Sequence, residues 1–260
     1  MTTGNERGAA GDRLRGEATQ VLDEVVELIS GIAAAQIHQR QLTATVSVEG
    51  ERITVVADAS GAVDRIEFAD DIDELSYGQL ARSTVRAAQQ AAEQVRDRAD
   101  ELLAPLRSLH ARLPKLSDLV DWLPPQDELP PPPRALLTPP DERDPRPDPV
   151  PGHDDPETVE LIELQQQRAL LYAVGAAEGG RVTVAVNADG VMIDLRLSGN
   201  VGDLDYDELA EVIVECSRVA VAAVARKVAA LYGTGRDDRP HYEGPAAMVA
   251  ELNLLRDQLR

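Results

Sequence analysis

Four histidines, one cysteine and two acidic clusters are the residues of this 260-residue chain whose types suit catalysis or metal binding. His38, His110, His153 and His241 stand far apart, without the short spacings that bring imidazoles onto one metal ion. Cys216 falls on the apolar seam of a helical pattern, where a thiol serves as a small core side chain. As the only cysteine it forms no intrachain disulfide, which fits a reducing compartment. The clusters DDIDE (70–74) and GDLDYDE (202–208) lack the alternating ligands, central glycine and closing glutamate of an EF-hand loop. Both sit where a helical pattern begins, and the helix dipole favours acids there. No phosphate-binding loop, dinucleotide fingerprint or nucleophile elbow is present. These residues predict no enzyme, no cofactor and no metal site.

The remaining chemistry is electrostatic. Arg96 and Arg98 on one helical stretch, and Arg226 and Lys227 on another, are the best placed to touch a phosphate backbone. Such contacts would set position without reading bases. The same four are also what solvated charges near a helix C-terminus look like, where the dipole favours cations. The formal charge of −20 makes nucleic acid a disfavoured partner, because nonspecific binding depends on basic side chains neutralising phosphates. The acid is spread evenly: residues 13–113 hold 11 basic and 17 acidic residues, 114–156 hold 4 and 10, and 157–235 hold 6 and 12.

The elements that carry these residues occur twice. Residues 49–81 align with 178–210 at a constant offset of 129, without a gap and with 11 identities, among them Gly50/Gly179, Arg52/Arg181, Gly61/Gly190 and Tyr77/Tyr206. In the first copy Leu14, Ala18, Val21, Val25, Leu28, Ile32 and Ala35 recur in heptad steps, a helical seam. Period-two alternation follows over residues 42–49, and Ile53, Val55 and Ala57 share one face of a second strand. DASG and NADG then supply an Asp or Asn at the first turn position and Gly at the fourth. A third strand sets Ile66 and Phe68 opposite Arg65 and Glu67. Ser76 with Gln79, and Asp205 with Glu208, read as capping boxes opening two long helices. Pro105 is expected to kink or restart the first of these.

The second copy is weaker at its start. Its first helix runs from about Pro156 to Val174, and its first strand is degraded to VGAAEGG. Fourteen of the 17 prolines lie between Pro114 and Pro156, a composition that predicts an extended, disordered spacer, with LSDLVDWLP around Trp122 as a short docking helix. Met248, Leu252, Leu255 and Leu259 predict a last amphipathic helix that supplies a packing surface or binds a partner. The N-terminus has no apolar h-region and no run of about 18 apolar residues occurs, which predicts a cytoplasmic protein with no membrane partner.

The hairpins GERITVVADASGAVDRIEF and GGRVTVAVNADGVMIDLRL, each followed by an acidic loop and an Ala/Val-rich helix, resemble the YbaB/EbfC family of nucleoid-associated proteins. The resemblance implies an α+β fold of two tandem α-β-β-β-α units that dimerise and bind DNA with low sequence specificity. It also implies a nucleoid location and an internal pseudo-dimer or a homodimer. Related acidic members accompany type VII secretion systems in actinobacteria, and the lysine-poor composition (Lys115 and Lys227 only) suits such a source. The expected layout is a flexible N-terminus (1–12), a first unit (13–113), a Pro-rich linker (114–156), a second unit (157–235) and a C-terminal helix (236–260). Two functions are carried forward: DNA association, or an acidic protein-interaction module that has lost it, such as a secretion accessory or chaperone.

Overall fold

The computed structural model describes residues 3–111, 132–143, 156–198, 201–233 and 245–259. The chain divides into two compact units, one of residues 40–98 and 128–239, the other of residues 1–39, 99–127 and 240–260.

The first of these units holds both sheets, and the α+β expectation is met there. β1 (Ala44–Val48), β2 (Ile53–Ala57) and β3 (Val63–Phe68) form an antiparallel meander, as do β4 (Tyr172–Ala177), β5 (Val182–Asn187) and β6 (Met192–Leu197). Register is the same in the two sheets at the 129-residue offset. Val46 faces Val55 as Gly175 faces Val184, and Val55 faces Ile66 as Val184 faces Leu195. A register irregularity falls at Val56/Ala57 in one and at Ala185/Val186 in the other. The turns match as well. Gly61 and Gly190 both adopt φ +83°, a conformation that costs glycine little, and each donates its N–H to the carbonyl of the Asp58 or Asn187 that opens the turn.

Two expectations for the second copy are corrected. Its opening helix, α3 (Pro156–Leu170), stops short of Val174, and of the stretch 174–180 expected to be a degraded strand, residues 174–177 belong to a regularly paired strand, β4, while Glu178–Gly180 form a 3₁₀ turn. Gly175 is part of the reason. A Cβ there would lie 2.0 Å from the carbonyl oxygen of Cys216, so the missing side chain lets a helix lie directly on the strand.

That helix is α4 (Tyr206–Tyr232), which packs on β4, on β5 and also on β3 of the other sheet. It opens with the expected capping box between Asp205 and Glu208. α2 (Tyr77–His110) opens on the reciprocal pair Ser76 and Gln79 and buries a face of small residues, Ala87, Ala88, Ala91 and Ala92. Leu80, Ile53, Val55, Val184, Leu209 and Ile213 from both regions share one hydrophobic cluster. Each such fully buried aliphatic side chain contributes about 1.5–3 kcal/mol. The crossings between regions start from equivalent helix positions and end on acceptors one residue out of equivalence. Gln89 Nε2 donates to Met192 O (3.4 Å), and Arg218, 129 residues on, donates to Asp64 O (3.4 Å). Gly61 lies against Ala92 and Val191, while Gly190 lies against Val221 and Ala62.

The expectation of a disordered spacer is corrected over residues 132–143. Ala135 is buried, residues Pro140–Glu142 form a 3₁₀ turn, and Leu136 N–H donates to Ala169 O. The rest of the linker, with Trp122, lies outside the described residues.

In the other unit, α1 (Thr3–Gln39) begins ahead of the expected boundary at residue 13, so residues 3–12 are helical. α1 packs against α5 (Pro245–Leu259), which gives the C-terminal helix a partner within the chain. Leu28 and Ala35 of the heptad seam are buried, and Gly31 sits so close to Leu106 that a Cβ would come within 2.5 Å of its side chain. α2 continues through Pro105, so of the expected kink or restart the restart does not occur. Among the described residues, no helix is long and apolar enough to cross a membrane.

Candidate functional site

The four candidate basic residues fall into three situations. Arg98 and Lys227, equivalent at the 129-residue offset, make equivalent bonds: the Arg98 guanidinium donates to Thr43 O, and Lys227 Nζ donates to Tyr172 O at 2.8 Å. Thr43 and Tyr172 are themselves equivalent, the residues at the entrance of β1 and β4. Each cation therefore pins the far part of its long helix to the start of its own sheet. Lys227 also sits 5.5 Å from the centroid of the Tyr172 ring, and Arg143 lies 5.2 Å from the same centroid, an arrangement attractive to a ring quadrupole. Arg226 is exposed and, among the described residues, makes no ion pair.

Arg96 turns elsewhere. Its guanidinium lies 3.4 Å from Asp189, in the turn between β5 and β6, and Arg168 of α3 binds the other oxygen of that carboxylate at 2.5 Å. Asp189 has only 19% of its side chain exposed, so this pairing is screened less than a surface salt bridge. Asn187, at the head of the same turn, is buried. Its Oδ1 accepts from the N–H groups of Asp189 and Val191, both at 3.0 Å. The structure thus separates Arg96 from Arg98 in role and gathers Arg96, Arg168 and Asp189 into a cluster that sequence reading missed. No local spacing signals it, because its members come from three elements.

Beside this turn a cavity of about 560 Å³ is lined by Ser60, Asp189, Gly190, Val221, Val228 and Tyr232, among others. It is mainly apolar and offers no paired nucleophile and base.

The acidic loops have specific partners. Arg52 binds both Asp71 (2.8 Å) and Glu74, and Arg181 reaches Asp203 (3.5 Å), the residue equivalent to Glu74. The hydrogen bond from Arg52 holds the Asp71 carboxyl below its ordinary range. Identity of Arg52 and Arg181 in the two copies was the available sequence signal. Among the described residues no group of three His, Cys, Asp or Glu side chains is placed to hold a metal. Cys216 is buried, points its sulfur at Val182 O (3.7 Å), and burial pushes its thiol pKa up, away from nucleophilic reactivity.

Residues 158–234, which span most of α3 and all of β4–β6 and α4, match the YbaB/EbfC DNA-binding family. No curated protein and no solved structure matches the chain.

Proposed function

We propose, from the premise that residues 158–234 are a YbaB/EbfC-family domain, that the protein is a non-enzymatic, nucleoid-associated DNA-binding protein of low sequence specificity. The family match carries this reading. The two sheet regions act as an internal pseudo-dimer of like units, a reading supported by their common register and by crossings that start from equivalent helix positions. Phosphate contact falls to Arg98, Arg226 and Lys227, all exposed. Arg98 and Lys227 keep further N–H donors beyond those used on Thr43 and Tyr172. Arg96 contributes less, being engaged by Asp189.

A gel-shift titration on mixed-sequence duplex tests the reading. Retardation is expected at about 50 mM salt with a steep loss on adding salt. Arg226→Glu is the informative variant because it breaks no bond within the fold; it should weaken binding evenly across sequences and flatten the salt slope. Absence of any shift at low salt with micromolar protein overturns DNA binding.

A second reading is favoured by the charge of −20 and by the engagement of Arg96, Arg98 and Lys227 within the fold: an acidic protein-interaction module on the same scaffold. It predicts no retardation at any salt, together with a folded chain by circular dichroism.

A further inference from the structure

Residues 132–143 lie outside the family match, yet they are bound to the second sheet region by a repeated kind of contact. Prolines flank the middle stretch, residues 134–138, where Leu136 spends its N–H on Ala169 O and the carbonyl oxygens of Leu136, Leu137 and Thr138 face side-chain donors. Side chains of the surrounding fold supply the donors. Asn187 Nδ2 donates to Leu136 O (3.3 Å), and Gln89 Nε2 reaches Leu137 O (3.4 Å) as well as Met192 O. Arg143 closes the far end. It donates to Thr138 O (2.8 Å) and Leu136 O (3.0 Å) within the segment and to Leu170 O (2.9 Å) at the end of α3, with its guanidinium over Tyr172. Asp141 pairs with Arg196 of β6 at 2.5 Å.

The first sheet region shows what such a surface requires, because it lacks the same features. Asp58, equivalent to Asn187, uses its Oδ1 for the N–H groups of Ser60 and Ala62, as Asn187 does for Asp189 and Val191. A carboxylate then has no N–H left to give, whereas the Asn187 amide does. Asp64 is exposed where Ile193, next to Met192, is 1% exposed. Thr43 stands where Tyr172 offers its ring to Arg143. Among the described residues, the amide donor, the buried apolar residue and the aromatic platform therefore occur together on the second sheet only.

We infer that this face of the second sheet region, built from Asn187, Ile193, Tyr172 and the end of α3, is a recognition groove for a Pro-rich, arginine-bearing peptide, occupied in cis by residues 132–143. The groove does not depend on DNA binding. Its selectivity comes from side-chain donors aimed at peptide carbonyls, and Asn187 and the Arg143–Tyr172 stack fix the register.

The test uses the full chain with residues 132–143 replaced by the same number of Gly and Ser residues. A fluorescent peptide of residues 132–143 is titrated onto it and followed by anisotropy. Saturable binding is expected, weakened about tenfold or more by Asn187→Asp in the protein or by Arg143→Ala in the peptide, a loss matching one hydrogen bond to a charged or buried group. No binding up to about 1 mM peptide, or equal binding by the Asn187→Asp chain, overturns the groove. Hydrogen exchange on the otherwise unaltered chain provides a reading that needs no replacement. Asn187→Asp should speed exchange over residues 134–138 about tenfold while β4–β6 keep their protection. Asp58→Asn should change neither. Unchanged exchange in Asn187→Asp, or an equal loss in Asp58→Asn, refutes the assignment.

Discussion

The two sheet regions share register, bulge position, turn geometry and helix-to-strand pins, yet they solve one packing problem in opposite ways. In the first, β1 carries Val46 at the position equivalent to Gly175 of β4, where the backbone of α4 at Cys216 comes so close that no side chain fits. The strand position holds a side chain in one region and a direct helix-backbone approach in the other. The outer faces diverge further. Thr43, Thr45 and Ser47 line β1 where Tyr172, Val174 and Ala176 line β4, and Asp64 faces solvent where Ile193 is covered. Inward-facing positions are thus constrained by the common core, whereas outward-facing ones follow whatever each sheet must meet. Among the described residues, it is the second sheet that meets the Pro-rich segment.

Exchanging residues between the regions is the direct way to break this comparison. Gly175→Val, which installs the residue of the equivalent position, should cost the most. Its Cβ meets a backbone carbonyl that cannot step aside, and the loss should reach about 3 kcal/mol or more in urea denaturation. Val46→Ala, which removes volume without a clash, should cost only about 1–2 kcal/mol. Equal losses would show that the close approach at Gly175 is unimportant. Ile193→Asp comes next. It buries a charge without a partner and should destabilise by about 2–3 kcal/mol, while Asp64→Ile on the exposed counterpart should stay within about 0.5 kcal/mol.

The hairpin after each first strand sharpens the comparison further. Residues 49–51 all have positive φ, with Glu51 at +72°, where the second region has Gly180 at +88°. Glu51→Gly should therefore stabilise by about 1 kcal/mol, since a side chain in that conformation is strained, and the reciprocal Gly180→Glu should destabilise. The smallest effect belongs to the exposed Arg52–Asp71 pair. The hydrogen bond from Arg52 lowers the Asp71 pKa, so its stabilisation is present above the ordinary carboxylate pKa and is lost as pH falls through the depressed one. Asp71→Asn should remove that acid-limb dependence while leaving stability at neutral pH little changed. A chemical-denaturation series from pH 3 to 6 on the two proteins reads the difference.

Much of this was legible from residue order. Period-two alternation located β1–β3, the 129-residue repeat carried that reading to β5 and β6, and the Ser76/Gln79 and Asp205/Glu208 spacings located both helix starts. β4 was legible only as a degraded strand because Gly175 and its alanine neighbours carry little strand propensity; helix α4 packs directly on it. The docked segment escaped for a related reason. Proline content signals an extended chain with few donors, but the donors that hold it, Asn187 and Gln89, lie 51 and 48 residues away from their partners. The basic candidates were correctly placed on the long helices. Their carbonyl partners at Thr43 and Tyr172, each 55 residues distant, are set by the helix-on-sheet packing alone.

The crossings from Gln89 and Arg218 join positions 103 and 154 residues apart in one covalent chain. In a dimer of separate subunits, the same joint would dissolve on dilution, and its melting point would move with protein concentration. Here each sheet region meets its counterpart at an effective concentration set by the connecting segment. Mass action therefore has no hold on that joint: it should persist at the few copies per cell at which a dissociable assembly would come apart.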